Sequence, residues 1–220
     1  MTVRFYTKHG GRTGRYKEGV GRLSGVFDPW EQRSLDFRSE NVRALWLLRR
    51  AEAGVESLDL RPSLLQWVRN GTRHSFQPEM AVRRASCLTV EAVIRGDGAA
   101  RLRHVNGLRE AASIHGLAWR ATPIEELTAG AERIANMEHI RQVLTVSHDD
   151  PLTMLVSWVP STLARDGSCT RAGLRARLDR NTGQACAEGL DAAIFRLYFA
   201  GRLWIDLERR FEDESIILGR

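Results

Sequence analysis

The sequence predicts an α+β chain, with a small sheet and packed helices first and a mainly helical domain after it. Three observations lead there. Short apolar runs of strand length crowd residues 55–94, between two segments of helical period. Asn70-Gly71 sits between two of those runs, a strong hairpin signal. Beyond Thr122-Pro123 the strand signals fade and helical periodicity takes over.

The elements follow in order. Residues 1–25 carry six Gly among six basic residues and a single acid, Glu18, which predicts an extended basic arm. Arg38 to Glu52 reads as a helix capped by Ser39 and stopped by Gly54. Ala44, Leu47, Leu48 and Ala51 form its apolar face, and Arg43, Arg49 and Arg50 its solvent side. Strand-like runs follow at 55–60, 64–69, 73–76, 81–84 and 88–94, then a turn at Gly96-Asp97-Gly98. Arg101–His115 is a second helix, stopped by Gly116, and Leu117–Ala121 a short strand.

In the second half, Ile124–Leu144 has one helical period throughout. Asp150-Pro151 opens a helix that Val159-Pro160 is expected to end. Two more helices, Thr170–Leu178 and Cys186–Ala200, precede strand-like runs at 203–207 and 215–218. Helix, turn, helix and strand pair is the order of a winged helix. The predicted organisation is an arm (1–25), a first domain (26–122) and a winged-helix-like second domain (123–220).

Composition narrows the function classes. With 43% apolar residues and six Trp the chain can bury a core, which excludes global disorder. No apolar stretch is long enough for a membrane span, and no secretory h-region is seen at the N-terminus. Cys87, Cys169 and Cys186 are odd in number and widely spaced, with neither zinc nor disulfide spacing, which suits a reducing cytoplasm. The net charge of +6 is uneven: +5 on residues 1–25, +3 on 26–118 and −2 on 119–220. Of 33 basic residues 31 are Arg; Lys8 and Lys17 are the exceptions.

This distribution suggests double-stranded DNA as a partner. Arg4, Lys8, Arg12, Arg15, Lys17 and Arg22 would follow phosphates and release counterions. Arg171 and Arg175 share one helix face and form a second candidate contact, with Arg177 and Arg180 on another face. The candidate chemistry lies in Phe76-Gln77-Pro78-Glu79-Met80 followed by Leu88-Thr89-Val90-Glu91-Ala92-Val93. Glu79 and Glu91 fall on or beside adjacent strands, where two carboxylates can share a Mg²⁺ or Mn²⁺ that activates water against a phosphodiester. Other residues carry weaker signals. Six His are scattered without ligand spacing, His74 lying nearest the acidic motif. Trp46, Trp67, Trp119, Trp158 and Trp204 sit on apolar runs and are expected in the core, and nothing marks Ser168 or Cys169 as a nucleophile.

Pro-acid, turn, then Val-Glu-x-x resembles the PD-(D/E)-x-K nuclease core. Arg38-Ser39-Glu40-Asn41-Val42-Arg43-Ala44-Leu45 resembles that family's first helix. Val55 through Arg61-Pro62 resembles its first strand, and Gly116-Leu117 with Trp119-Arg120 its closing element. Together with the winged-helix-like tail, the order is similar to TnsA-type subunits of heteromeric transposases, best over 27–127 and loosely over 165–215. The resemblance implies a restriction-endonuclease-like mixed sheet flanked by helices, a partner transposase, and a metal held by Glu79 and Glu91 with help from Glu40. It also shows departures. The family's helix Glu falls on Val42 and its Lys on Val93, and no Lys follows Lys17. Arg95 can supply charge but does not readily lose a proton. Each such loss typically costs about 100- to 1000-fold in rate, so cleavage is expected to be weak or absent. The alternatives are a pseudo-nuclease that serves as DNA-binding or assembly scaffold, and a winged-helix transcription regulator.

Overall fold

The structure, a computed structural model, describes residues 23–147, 149, 152–182 and 189–220. The arm residues Arg4, Lys8, Arg12, Arg15, Lys17 and Arg22 lie outside the described residues. β1 (Leu23–Asp28) and β2 (Arg33–Phe37) pair as a two-stranded ribbon. The chain then divides into two compact units. One holds residues 23–26 and Leu35–Ala129, the other Phe27–Ser34 and Gly130–Arg220.

The first unit is α+β. α1 (Glu40–Arg50) leads to β3 (Val55–Asp59), then to the hairpin of β4 (Leu65–Arg69) and β5 (Thr72–Phe76). β6 (Met80–Arg84), β7 (Cys87–Ile94), α2 (Gly98–Ile114), β8 (Ala118–Pro123) and α3 (Ile124–Ala129) follow. The main sheet is mixed, in the order β3-β6-β7-β8: the first two pairings are antiparallel and β7–β8 is parallel. Outside the β4–β5 hairpin, the elements therefore run helix, three strands, helix, strand. The hairpin closes on Asn70 and Gly71, both at positive φ (50° and 76°), the geometry that Asn-Gly tolerates.

Alternation along β7 gives the sheet two different faces. Val90, Ala92 and Ile94 turn to α2 and pack with Leu108, Ala111 and Ala112, joined by Leu65 and Ala81. Glu91 and Val93 turn the other way, toward α1. The α1 helix starts at Ser39, whose hydroxyl accepts the Val42 N–H at 3.3 Å. It is buried more widely than its apolar stripe predicts: Arg49 and Arg50 are buried with Leu45–Leu48, because α1 lies between the sheet and α3. The unit extends to Ala129, past the sequence boundary at 122, since α3 packs on α1 and β8.

The second unit contains α4 (Ala131–Val146), α5 (Thr153–Asp166), β9 (Ser168–Thr170), α6 (Arg171–Thr182), α7 (Leu190–Phe199), β10 (Leu203–Ile205) and β11 (Ile216–Gly219). The expected single helix over 124–144 is split at Gly130. The α5 helix does not end at Pro160 but runs through it. Its missing amide bond is offset by burial of Leu155, Val159, Thr162 and Leu163 on one side. Strand β9, not foreseen in the sequence, joins a three-stranded antiparallel sheet with β11 in the middle. The α7 helix is the core of the unit, with Leu190, Ala192, Ala193, Ile194, Phe195 and Leu197 all buried, and packs on α4 and α5. Asn136 of α4 pins the 206–215 loop. Its side-chain amide donates to the carbonyls of Leu207 (2.8 Å) and Arg209 (2.7 Å) and accepts the Phe211 N–H at 3.0 Å.

Of the tryptophans expected in the core, Trp46 is fully enclosed. Trp119 and Trp204 keep more than a third of their surface exposed, because β8 and β10 are edge strands of their sheets. Among the described residues no helix is long and apolar enough to cross a membrane.

Candidate functional site

Glu79 stands immediately before β6, and its backbone N–H donates to the Glu91 carbonyl at 2.9 Å, opening the β6–β7 ladder. The hairpin thus brings the two sequence-selected acids together in one corner of the sheet. Their carboxylates, however, go to separate partners. Glu79 accepts the backbone N–H of Val93 at 2.5 Å and pairs with Arg95 at 3.4 Å. Arg95 also donates to the Ser39 hydroxyl at 3.1 Å, tying this corner to the start of α1.

Glu91 is 0% exposed. Its Oε2 accepts from Arg49 Nε at 2.7 Å. The Arg49 side chain, 2% exposed, is engaged on all sides: Nη1 donates to Glu52 at 2.8 Å and Nη2 to the Thr122 hydroxyl at 2.8 Å. Arg84 pairs with Glu52, and Arg120 bridges Glu52 (3.2 Å) and Glu126 (2.8 Å). Three acids and three arginines form one balanced network. Burial pushes the Glu91 carboxyl above its ordinary value, while the charge and hydrogen bond of Arg49 pull it back down. Glu91 Oε1 is buried with no hydrogen-bond partner among the described residues. Losing Arg49 would leave a bare buried charge.

Val42 and Val93 occupy the positions where the resemblance expects a carboxylate and an ammonium. They are 1% and 0% exposed, so apolar packing replaces polar groups there. Glu40 is largely exposed and pairs with Arg43 at 3.2 Å. Among the described residues no group of three or more His, Cys, Asp or Glu side chains is placed to hold a metal ion, so Glu40 completes no triad with Glu79 and Glu91. A divalent cation of the Mg²⁺ type needs several free oxygen ligands in octahedral geometry. Here each carboxylate already carries a guanidinium. This donor set does not fit Mg²⁺ or Mn²⁺.

The two DNA-contact candidates on α6 differ. Arg171 donates from Nε and Nη2 to Asp191 (2.8 and 2.7 Å) and from Nη1 to Asp213, and lies over the Phe211 ring at 5.4 Å. Its hydrogen bonds to Asp191 hold its pKa above the ordinary arginine value. Every nitrogen is committed, so Arg171 is a brace for the unit rather than a free phosphate contact. Arg175 is more open, 3.9 Å from Asp191.

Sequence reasoning missed Arg49, which it placed on the solvent side. A signal was there: α1 carries apolar residues at 45–48, almost all round the helix, which leaves little solvent side for Arg49.

No family model matches the chain. It is similar to the bifunctional protein HldE of Rhodopseudomonas palustris (strain BisB18), 31% identical over 114 residues, 51% of this chain and 23% of that protein. The chain therefore spans about a quarter of the length of that curated relative, and the likeness assigns no activity here.

Proposed function

We propose that this chain is a DNA-binding subunit of a transposition or recombination machinery. In this reading a TnsA-like nuclease fold is kept as a scaffold and its metal-dependent cleavage is impaired. One observation carries the proposal: Glu91, the acid nearest the motif centre, is enclosed and held by Arg49, two residues from a buried Val93. The helix, three strands, helix, strand order and the mixed sheet flanked by helices support this reading. The network of three acids balanced by three arginines supports an impaired cation site. The second unit supports the scaffold over a sequence-reading regulator. A winged helix reads bases with the second helix of its helical pair, and here that helix, α7, is apolar and buried in the core.

The scaffold binds duplex DNA through phosphates, beside a partner transposase that supplies cleavage. Two assays test it together. Supercoiled plasmid with Mg²⁺ or Mn²⁺ should remain unnicked by the purified chain, while unrelated duplexes should bind with equal affinity that falls steeply with salt. Nicking abolished by Glu79→Ala would overturn the impaired-site reading. Absence of duplex binding at low salt would overturn the DNA-scaffold reading.

A further inference from the structure

Between α5 and α6 the second unit holds an open cleft of about 280 Å³ lined by Trp158, Thr162, Arg165, Arg177 and Arg180. Its lining follows from helical spacing. Residues 158, 162 and 165 recur on one face of α5, and 177 and 180 on one face of α6. Both helices bury their apolar sides elsewhere, through Leu155, Val159 and Leu163 on α5 and Leu174 and Leu178 on α6. The faces left over converge.

Among the described residues, three guanidiniums line this cleft and one acid, Asp166, pairs with two of them. Asp166 accepts from Arg165 Nε at 3.1 Å and also pairs with Arg177. One carboxylate thus steers two arginines, and among the described residues the cluster keeps an excess of about two positive charges. Arg180 has no acidic partner among the described residues. Holding like charges together without a counter-charge is unfavourable unless something anionic occupies the space. The cleft wall also carries the Thr162 side chain, 5% exposed. Arginine forks fit phosphate oxygens in bidentate fashion, and an indole is a stacking platform for a flat ring.

We propose that this cleft binds the phosphate of a nucleotide unit, with Arg165, Arg177 and Arg180 on its oxygens, the Thr162 hydroxyl donating from the floor, and Trp158 against the base or sugar. The same chemistry is offered by a free mononucleotide and by one residue of a DNA strand. Taking the strand as the source rests on the proposed function; the anion site itself does not.

The test uses the full chain and four probes: inorganic phosphate, dAMP, a 12-nucleotide single strand and a 12-base-pair duplex. Three variants are compared, Arg180→Gln, Thr162→Val and Arg165→Gln/Arg180→Gln, with Arg83→Gln as an equal charge loss on exposed surface of the first unit. Arg180 is exposed and unpaired among the described residues, so its replacement leaves folding intact and keeps the test decisive should Thr162→Val unfold the unit. The expected result is that dAMP and phosphate bind the parent chain, and that Arg180→Gln and the double variant weaken both by about tenfold or more. Arg83→Gln should change neither. Phosphate and dAMP binding that is undetectable at millimolar concentration, or equal in parent, Arg180→Gln and Arg83→Gln, overturns the site. If the single strand or duplex loses affinity in Arg180→Gln alongside dAMP, the strand is the source. If dAMP binding depends on Arg180 while neither nucleic acid binds any form of the chain, the cleft stands as a mononucleotide site and the DNA-scaffold reading fails.

Discussion

Replacing Arg49 by Met removes the hydrogen bonds to Glu91, Glu52 and Thr122 at once and leaves the enclosed Glu91 carboxylate without its cation. Breaking a buried pair by removing one partner typically costs about 3–5 kcal/mol. Arg49 and Glu91 are 2% and 0% exposed, so water cannot take the place of the guanidinium without opening the sheet. For a unit of this size each kcal/mol moves the melting midpoint by about 4–8 °C, so Arg49→Met should lower it by on the order of 15–30 °C. Two further arms make the argument specific. Arg49→Met/Glu91→Leu, which removes both charges, should recover most of the loss, because an apolar pair in this position carries no desolvation penalty. The cost should also depend on pH. Burial raises the Glu91 carboxyl above its unfolded value, so the folded state binds the extra proton. Its contribution is fully present below the unfolded value and is lost as pH rises through the raised folded value. Removing Arg49 removes the influence that lowers it, which moves that loss to still higher pH. Urea unfolding of parent, single and double variants at pH 5 and pH 8 measures all three effects. A single variant that costs under about 1 kcal/mol at both pH values, or a double variant no more stable than the single, refutes the buried-pair reasoning.

Other consequences can be checked separately. Deleting residues 1–25 should make the dependence of duplex affinity on salt shallower, by about 0.9 for each phosphate the arm had neutralised, read by anisotropy titrations at several salt concentrations. Asn136→Ala leaves two carbonyls and one amide of the 206–215 loop without their partner; a loss of about 2–4 kcal/mol is expected in chemical denaturation. Gly173→Ala, ordinarily stabilising by about 1 kcal/mol within a helix, should instead destabilise, because the added methyl would lie 2.8 Å from the Cys169 sulfur. Val93→Lys should lower the melting midpoint without bringing plasmid nicking, since the lysine would enter a fully enclosed position beside the Arg49 network.

Much of the framework was legible in the sequence because its signals are local. Asn70-Gly71 fixed the hairpin, Gly96 and Gly116 bounded α2, and the strand runs from 55 to 94 each became a strand. What was not legible depends on partners distant in sequence. Arg49 reads as solvent-facing within α1 and is buried because Glu91, 42 residues away, and Thr122, 73 residues away, close over it. Arg171 looks like a phosphate contact until Asp191 and Asp213 fold against it. Pro160 looks like a helix end until the burial of Val159 and Leu163 carries α5 past it. Glu79 and Glu91 are backbone neighbours on the β6–β7 ladder, and what their spacing did not carry is that each carboxylate is held by a separate guanidinium.

The most direct measurement is Mn²⁺ binding followed by electron paramagnetic resonance, titrated into the full chain with a short duplex, alongside Glu79→Gln and the duplex alone. A scaffold whose carboxylates are held by Arg49 and Arg95 leaves the parent and Glu79→Gln curves superimposed, with no saturable uptake beyond that of the duplex. Saturable uptake by the parent chain that Glu79→Gln abolishes would show that the acids still assemble a cation site, and would contradict the scaffold reading at its root.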